Sequence, residues 1–250
     1  MALYEDLAAR IESITTERWG TRAGLVVPKS DDVALAGGGV TMSATMLYAD
    51  LADSTHLATR FDPRVAAMVI KLFLGPTCDI IRYHQGHIRS FDGDRVMGVF
   101  VGANQEQRAV RAAMHISHAV YQLMRPALDR HVPGLRQAGY LLTHGVGIDR
   151  SDVMAARAGI RRNNDLIWIG RAPNVAAKLS AIRSDPYCTH ITGSVFGALT
   201  DPATLVNALD GQSLWEVVPW PDAPTADTNH ILRSRWMLRP PTGSILRRLI

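Results

Sequence analysis

Cysteine is scarce: Cys78 and Cys188 are the only two among 250 residues, and they form no CxxC pair. That argues against a disulfide scaffold and a thiolate zinc module, and it suits a reducing compartment. Long hydrophobic runs are missing too. No stretch approaches the ~20 apolar residues of a membrane span, and the acidic N-terminal region lacks a secretory-signal pattern. The expectation is a soluble, cytoplasmic protein with no membrane partner. Charge of one sign is not concentrated either. Lys and Arg number 27 against 23 Asp and Glu, a net +4. It is spread along the chain apart from Arg233, Arg235 and Arg239, then Arg247 and Arg248. With no RNA- or DNA-binding signature, no nucleic-acid partner is expected. Gly37-Gly38-Gly39 is followed by no P-loop lysine and reads as a flexible turn. What is present is apolar content of 47%, enough to fill the core of one large domain.

Leu3, Leu7, Ile11 and Ile14 share one helical face over about residues 3–18, which predicts a helix docked on the core or on a second subunit. Residues 21–40, with Pro28, Ser30-Asp31-Asp32 and the three glycines, read as a linker. The division expected is therefore an N-terminal helix and linker over 1–40 and one compact domain over 41–250. Within that domain residues 44–48 read as a buried strand. Asp62-Pro63 starts a helix, with Val65, Met68, Val69, Leu72 and Phe73 on its apolar face, interrupted at Gly75-Pro76. Residues 87–91 and 96–101 form a hairpin around Asp92-Gly93-Asp94. A helix after Asn104 turns Ala109, Ala112, Ala113, Ile116, Val120 and Leu123 inward and ends near Pro126. Strands are expected over 139–148, 153–158 and 166–169, a helix over 172–182, and strands near 189–192, 213–218 and 230–238. Such alternation predicts an α+β sandwich, helices packed on a mixed sheet.

Asp50 and Asp94 carry the chemistry. Asp50 ends the apolar run Ala44-Thr45-Met46-Leu47-Tyr48-Ala49, and Asp94 stands just before Val96-Met97-Gly98-Val99-Phe100. Carboxylates at adjacent strand ends can share divalent cations, a pairing suited to chemistry on a nucleoside triphosphate.

Tyr48-Ala49-Asp50-Leu51, the Gly93-Asp94 turn, and Gly170-Arg171-Ala172-Pro173-Asn174-Val175-Ala176-Ala177-Lys178-Leu179 together resemble a class III nucleotidyl cyclase domain, over about residues 41–192. The resemblance implies a ferredoxin-like core acting as a head-to-tail homodimer with two shared sites. One subunit supplies the aspartates and its partner the Asn174 segment. Asp50, Asp94 and the Leu51 carbonyl would hold two ions of Mn²⁺ or Mg²⁺ per site. The ribose 3′-hydroxyl would attack the α-phosphorus and release pyrophosphate. Amides of Ala52, Asp53, Ser54 and Thr55 would cradle phosphate oxygens, although Asp53 by itself reads best as a helix cap. Asn174 matches the residue that orients the ribose. Lys178 stands where the family usually has an arginine, keeping the charge but losing the bidentate fork.

The base pocket departs from the family. Adenylate-specific members place a lysine where this chain has Ser90 and an aspartate or threonine where it has Ile167; the glutamate and cysteine of guanylate readers are absent as well. Losing both adenine readers argues against conventional adenine recognition. Arg89, Ser90 and Asp92 are the candidate base contacts, although on a regular strand only one of Arg89 and Ser90 faces the ligand. Tyr48 is placed to stack on base or ribose. The Ile88-Arg89-Ser90-Phe91-Asp92-Gly93-Asp94 wording resembles the pyrimidine cyclases of bacterial Pycsar anti-phage systems, which pass cyclic UMP or cyclic CMP to a separate effector protein. Overall resemblance favours UTP over CTP, without a contact-level argument. An atypical adenylate cyclase and a catalytically dead nucleotide-binding module are the alternatives. Arg233 or Arg235 is a candidate for the triphosphate tail. His115 and His118 read as ordinary helix residues.

Overall fold

The computed structural model describes residues 2–239, so the Arg247–Arg248 patch lies outside the described residues. Chain order is α1 (Ala2–Thr15), β1 (Gly20–Ala23), β2 (Gly38–Leu51), α2 (Ser54–Arg60), α3 (Pro63–Tyr83), β3 (His87–Asp92), β4 (Arg95–Phe100) and α4 (Gln105–Ala119). Then follow α5 (Arg125–His131), α6 (Gly134–Gln137), β5 (His144–Ile160), β6 (Asn163–Gly170), α7 (Arg171–Ser180), β7 (Thr189–Thr192), α8 (Gly193–Phe196), α9 (Pro202–Leu205), β8 (Glu216–Pro219) and β9 (His230–Ser234). A nine-stranded mixed sheet runs β3-β4-β2-β5-β7-β9-β8, with β1 added beside β2 and β6 beside β5. The block β2-α3-β3-β4-α4-β5 is the expected ferredoxin-like core, β2 lying between β4 and β5 and antiparallel to both.

Alternation along β2 builds the two faces. Leu47, Ala49 and Leu51 enter the larger core, against Val69 and Phe73 of α3 and Ala109, Ala113 and Ile116 of α4. Ala44 and Met46 face the other way, where Ala172 and Ala176 of α7 cover them. Tyr48 and Asp50 share that second face. So do Gly147 and Gly145, which stand opposite them on β5. A Cβ on Gly147 would collide with the Ala176 carbonyl and one on Gly145 with the Ser180 carbonyl, so α7 lies almost on the strand backbone. That close approach decides where the end of α7 arrives.

Several expectations are corrected. Residues 21–40 are no loose linker: β1 pairs in parallel with Gly38–Thr41, and Val27 and Val33 are buried with Met42, Ala44 and Met97. Gly37 alone of the three glycines turns the chain (φ +59°); Gly38 and Gly39 begin β2. Helix α3 runs through Gly75-Pro76, because Phe73, Thr77 and Ile81 stay buried on either side and hold it to the sheet. Asp62 does cap it, accepting from the Arg64 amide at 2.8 Å. The helix after Asn104 continues past Pro126 through a π turn at Val120–Met124. The wider turn shifts the helical phase, so Met124 is buried and Leu123 is 60% exposed. The two strands expected over 139–158 are one, β5, starting at His144; polar Asp149 stays within it because Thr192 donates to it at 2.6 Å and Arg171 at 3.2 Å. Helix α1 buries none of its residues, and Ile11 is 61% exposed, so it does not dock its apolar face on this protomer's core.

Four histidines are buried as neutral rings. His84 Nε2 and His115 Nδ1 stand 2.9 Å apart. Burial first, then neighbouring cationic groups, lower His84 to about 3 and His115 to about 4. His144 falls to about 3 and His190 to about 4, again chiefly through burial. Each therefore contributes stability that is complete above the unfolded value of about 6.5 and drains as pH falls toward 3–4. The melting temperature is expected to drop by about 10 °C or more between pH 7 and pH 5. A scanning-calorimetry series flat over that interval would contradict it.

Candidate active site

Asp50 lies at the end of β2, directly opposite Arg95 of β4 and Gly145 of β5. Asp94 follows Gly93, whose positive φ (+63°) closes the β3–β4 hairpin. Both aspartates line one open cleft of about 750 Å³, together with Leu51, Asp53, Ser54, Thr55, His56, Asp92, Arg95 and Arg183. Burial holds the Asp50 carboxyl above its ordinary value, against the pull of Arg183, and the Asp94 charge raises it further. The two carboxylates thus sense one another. Asp94 has no side-chain hydrogen bond or ion pair among the described residues, while Asp50 accepts from Arg183 Nη2 at 2.7 Å.

These donors suit a hard divalent cation: two carboxylates in one cleft, with Leu51 beside them. Among the described residues no group of three or more His, Cys, Asp or Glu side chains could hold a metal alone. A cation here would complete its shell from phosphate oxygens and water, the habit of Mg²⁺. His115 and His118 gather no such set; His115 is taken by His84.

Other expected residues fall into three groups. Ser54 and Thr55 open α2 in the cleft, where first-turn amides have no intrahelical acceptor. The Ala52 amide is not free, since it donates to the Thr143 carbonyl at 2.9 Å. Asp53 occupies the N-cap position but makes no side-chain cap; its backbone is left-handed (φ +57°) and the residue is part of the cleft wall.

On the hairpin, Asp92 is tied to Arg95, whose guanidinium carbon stands 5.4 Å from the Tyr48 ring centroid. Tyr48 is half-buried on the cleft side of β2, and burial raises its phenol. Strand β3 is not regular: the register jumps between Ile88 and Ser90, leaving Arg89 as the extra residue of a bulge. Simple alternation therefore cannot choose between Arg89 and Ser90. Arg89 is engaged elsewhere, donating to the Pro28 carbonyl at 2.6 Å.

Asn174, Lys178 and Ile167 do not line the carboxylate cleft of their own protomer. Asn174 and Lys178 lie one turn apart on the exposed face of α7, whose opposite face, Val175, Ala176 and Leu179, is buried. Ile167 is 47% exposed and lines a separate groove with Arg10, Ile14 and Trp19. Arg233 is occupied by Glu216 at 3.0 Å and stacks 3.9 Å from the Tyr187 ring centroid, away from the cleft. Arg183, Arg95 and His56 are the cleft residues that sequence reasoning missed. Arg95, directly after Asp94, and His56, directly after Thr55, adjoin residues already singled out, whereas Arg183 does not.

No protein-family model matches the chain. A uridylate cyclase of Rhodovulum sp. (strain MB263) is 39% identical over 221 residues, 88% of this chain and 91% of that protein. The chain belongs to the uridylate cyclase family. A second member, from Xanthomonas perforans, is 36% identical over 96% of this chain and 99% of its own length. Among solved structures, the guanylyl cyclase Cya2 superposes with a TM-score of 0.60 at 21% identity, over 83% of this chain and 99% of that one. That likeness establishes the class III cyclase fold. Among the described residues, no helix of this cyclase is long and apolar enough to cross a membrane.

Proposed function

We propose that this cyclase converts UTP to 3′,5′-cyclic UMP and pyrophosphate, in a homodimer whose sites are each shared between two subunits. The carrying observation is the cleft in which Asp50 and Asp94 converge beside the first-turn amides of α2. Asp50, Asp94 and the Leu51 carbonyl would hold two ions of Mn²⁺ or Mg²⁺. Bound there, such cations acidify the ribose 3′-hydroxyl and neutralise the triphosphate.

The chain's own groups do the rest. Amides of Ser54 and Thr55 bind phosphate oxygens. Asn174 of the partner subunit fixes the ribose so that O3′ faces the α-phosphorus. The partner's Lys178 balances charge that grows on the phosphoryl oxygens as the new O3′–P bond forms and the bond to the bridging oxygen of pyrophosphate breaks. The hydroxyl proton leaves to solvent. Tyr48, under Arg95, offers a flat apolar surface to the base.

The specificity for uracil rests on kinship with proteins named for that base and on the missing purine readers at Ser90 and Ile167. A cytoplasmic second-messenger role in anti-phage defence, with the product passed to a separate effector, follows from the Pycsar resemblance. The test is incubation of the purified protein with each of the four ribonucleoside triphosphates and Mn²⁺, with cyclic products identified by mass. Cyclic UMP is expected to dominate by about tenfold or more. Cyclic AMP as the main product would overturn the pocket reading, and no product from any nucleotide would overturn the enzymatic one.

A further inference from the structure

Arg183 has no counterpart in the motifs that carry the family resemblance, yet it stands inside the cleft. It follows α7, whose last turn is brought onto β5 by Gly145 and Gly147. From there Nη2 reaches Asp50 at 2.7 Å while Nη1 rests on the Ser180 carbonyl at 2.6 Å. Its remaining contact among the described residues is the neutral Ile182 carbonyl, so Asp50 is the one carboxylate it pairs with there. The other arginine of the cleft, Arg95, is engaged with Asp92.

A guanidinium does not shed its proton at any working pH. Arg183 takes Asp50 Oδ2, and a divalent cation on the same carboxylate sets two positive groups against one another across one anion. That competition loosens the pair, and Arg183 is tethered at Ser180 within the cleft to which the proposed reading brings a triphosphate. The planar fork of arginine fits phosphate oxygens in a bidentate way that lysine cannot match.

The geometry points to Arg183 as a resident cation of the site, paired with Asp50 when the cleft is empty and handed to the triphosphate when a divalent cation takes that carboxylate. This rests on the reading of Asp50 as a cation-binding carboxylate. In this role Arg183 supplies the arginine fork that is missing at Lys178, from the subunit that carries the aspartates. It also makes cation and nucleotide entry interdependent: without the triphosphate, displaced Arg183 has no anion to move to, and cation binding is weakened by the competition.

The experiment is direct Mn²⁺ titration of the full chain, without nucleotide, following free Mn²⁺ by electron paramagnetic resonance, paired with steady-state kinetics. Arg183→Ala is expected to bind Mn²⁺ about tenfold more tightly than the unmodified protein and to raise KM for the nucleotide about tenfold. Arg183→Lys keeps the competing charge, so its Mn²⁺ affinity stays near the unmodified value while KM still rises. Unchanged or weaker Mn²⁺ binding by Arg183→Ala, in protein whose melting temperature is unaltered, overturns the inference. Asp50→Ala separates the two levels: Mn²⁺ binding that survives this change undamaged sinks the cation-site reading itself, whatever Arg183 does.

Discussion

Asp94→Ala is expected to lower turnover by at least about a thousandfold while leaving the melting temperature within about 2 °C of the unmodified protein. The contrast follows from its surroundings. Asp94 sits in an open hairpin turn with no hydrogen bond or ion pair among the described residues, so folding loses little when the carboxylate goes. On the proposed reading the cation site loses one of its two carboxylate ligands. Asp50→Ala should abolish activity equally but is a less clean experiment. Its side chain is 17% exposed and paired with Arg183, so truncation strands a guanidinium beside β5 as well. Turnover within tenfold of normal in Asp94→Ala, measured as cyclic nucleotide formed per minute, would contradict the assignment. So would a large fall in stability, because the lost activity could then be charged to unfolding.

How much of this was legible beforehand depends on the range of the interactions involved. Asp50 and Asp94 were readable because each marks a boundary between an apolar strand and a turn, and such boundaries are local. Asn174 and Lys178 were marked only by the resemblance to the family motif, since taken singly they read as a helix-start asparagine and a surface lysine. The strands either side of the Asp94 hairpin came out within a residue or so of their observed ends. Arg183 was invisible. Nothing near it in the chain marks it, and its place depends on two glycines some forty residues away that let α7 sink onto β5. Residues 21–40 were misread because Pro28, Ser30-Asp31-Asp32 and the three glycines interrupt their apolar residues, while Val27 and Val33 are buried only once β2 and β4 exist to receive them. The β3 bulge defeated the alternation argument over Arg89 and Ser90, since an extra residue in one strand shows only against its partner's register. The strand expected to end at 148 runs on through Asp149, whose partners Arg171 and Thr192 arrive from later segments and make a buried carboxylate tolerable.

Mixing subunits provides the second large effect. Asn174→Ala alone should cost about a hundredfold in turnover through loss of ribose positioning, and Asp50→Ala alone should be inactive. Co-expressed in equal amounts, the two are expected to recover about a quarter of normal activity. Random pairing makes about half of the dimers mixed, and in each mixed dimer one of two sites collects both lesions and the other neither. The physical ground is the orientation of α7. Its inner face is committed to the sheet through Val175, Ala176 and Leu179, and Asn174 and Lys178 look outward, away from the cleft that Asp50 and Asp94 line. No rotation of the helix could aim them at their own subunit's aspartates without pulling α7 off Gly145 and Gly147. On the proposed reading a second subunit brings them, and a shared site is what would let two damaged chains repair one another. If each site were complete within one chain, both mutant subunits would stay inactive in any mixture and the yield of cyclic product would remain at the level of the better single mutant.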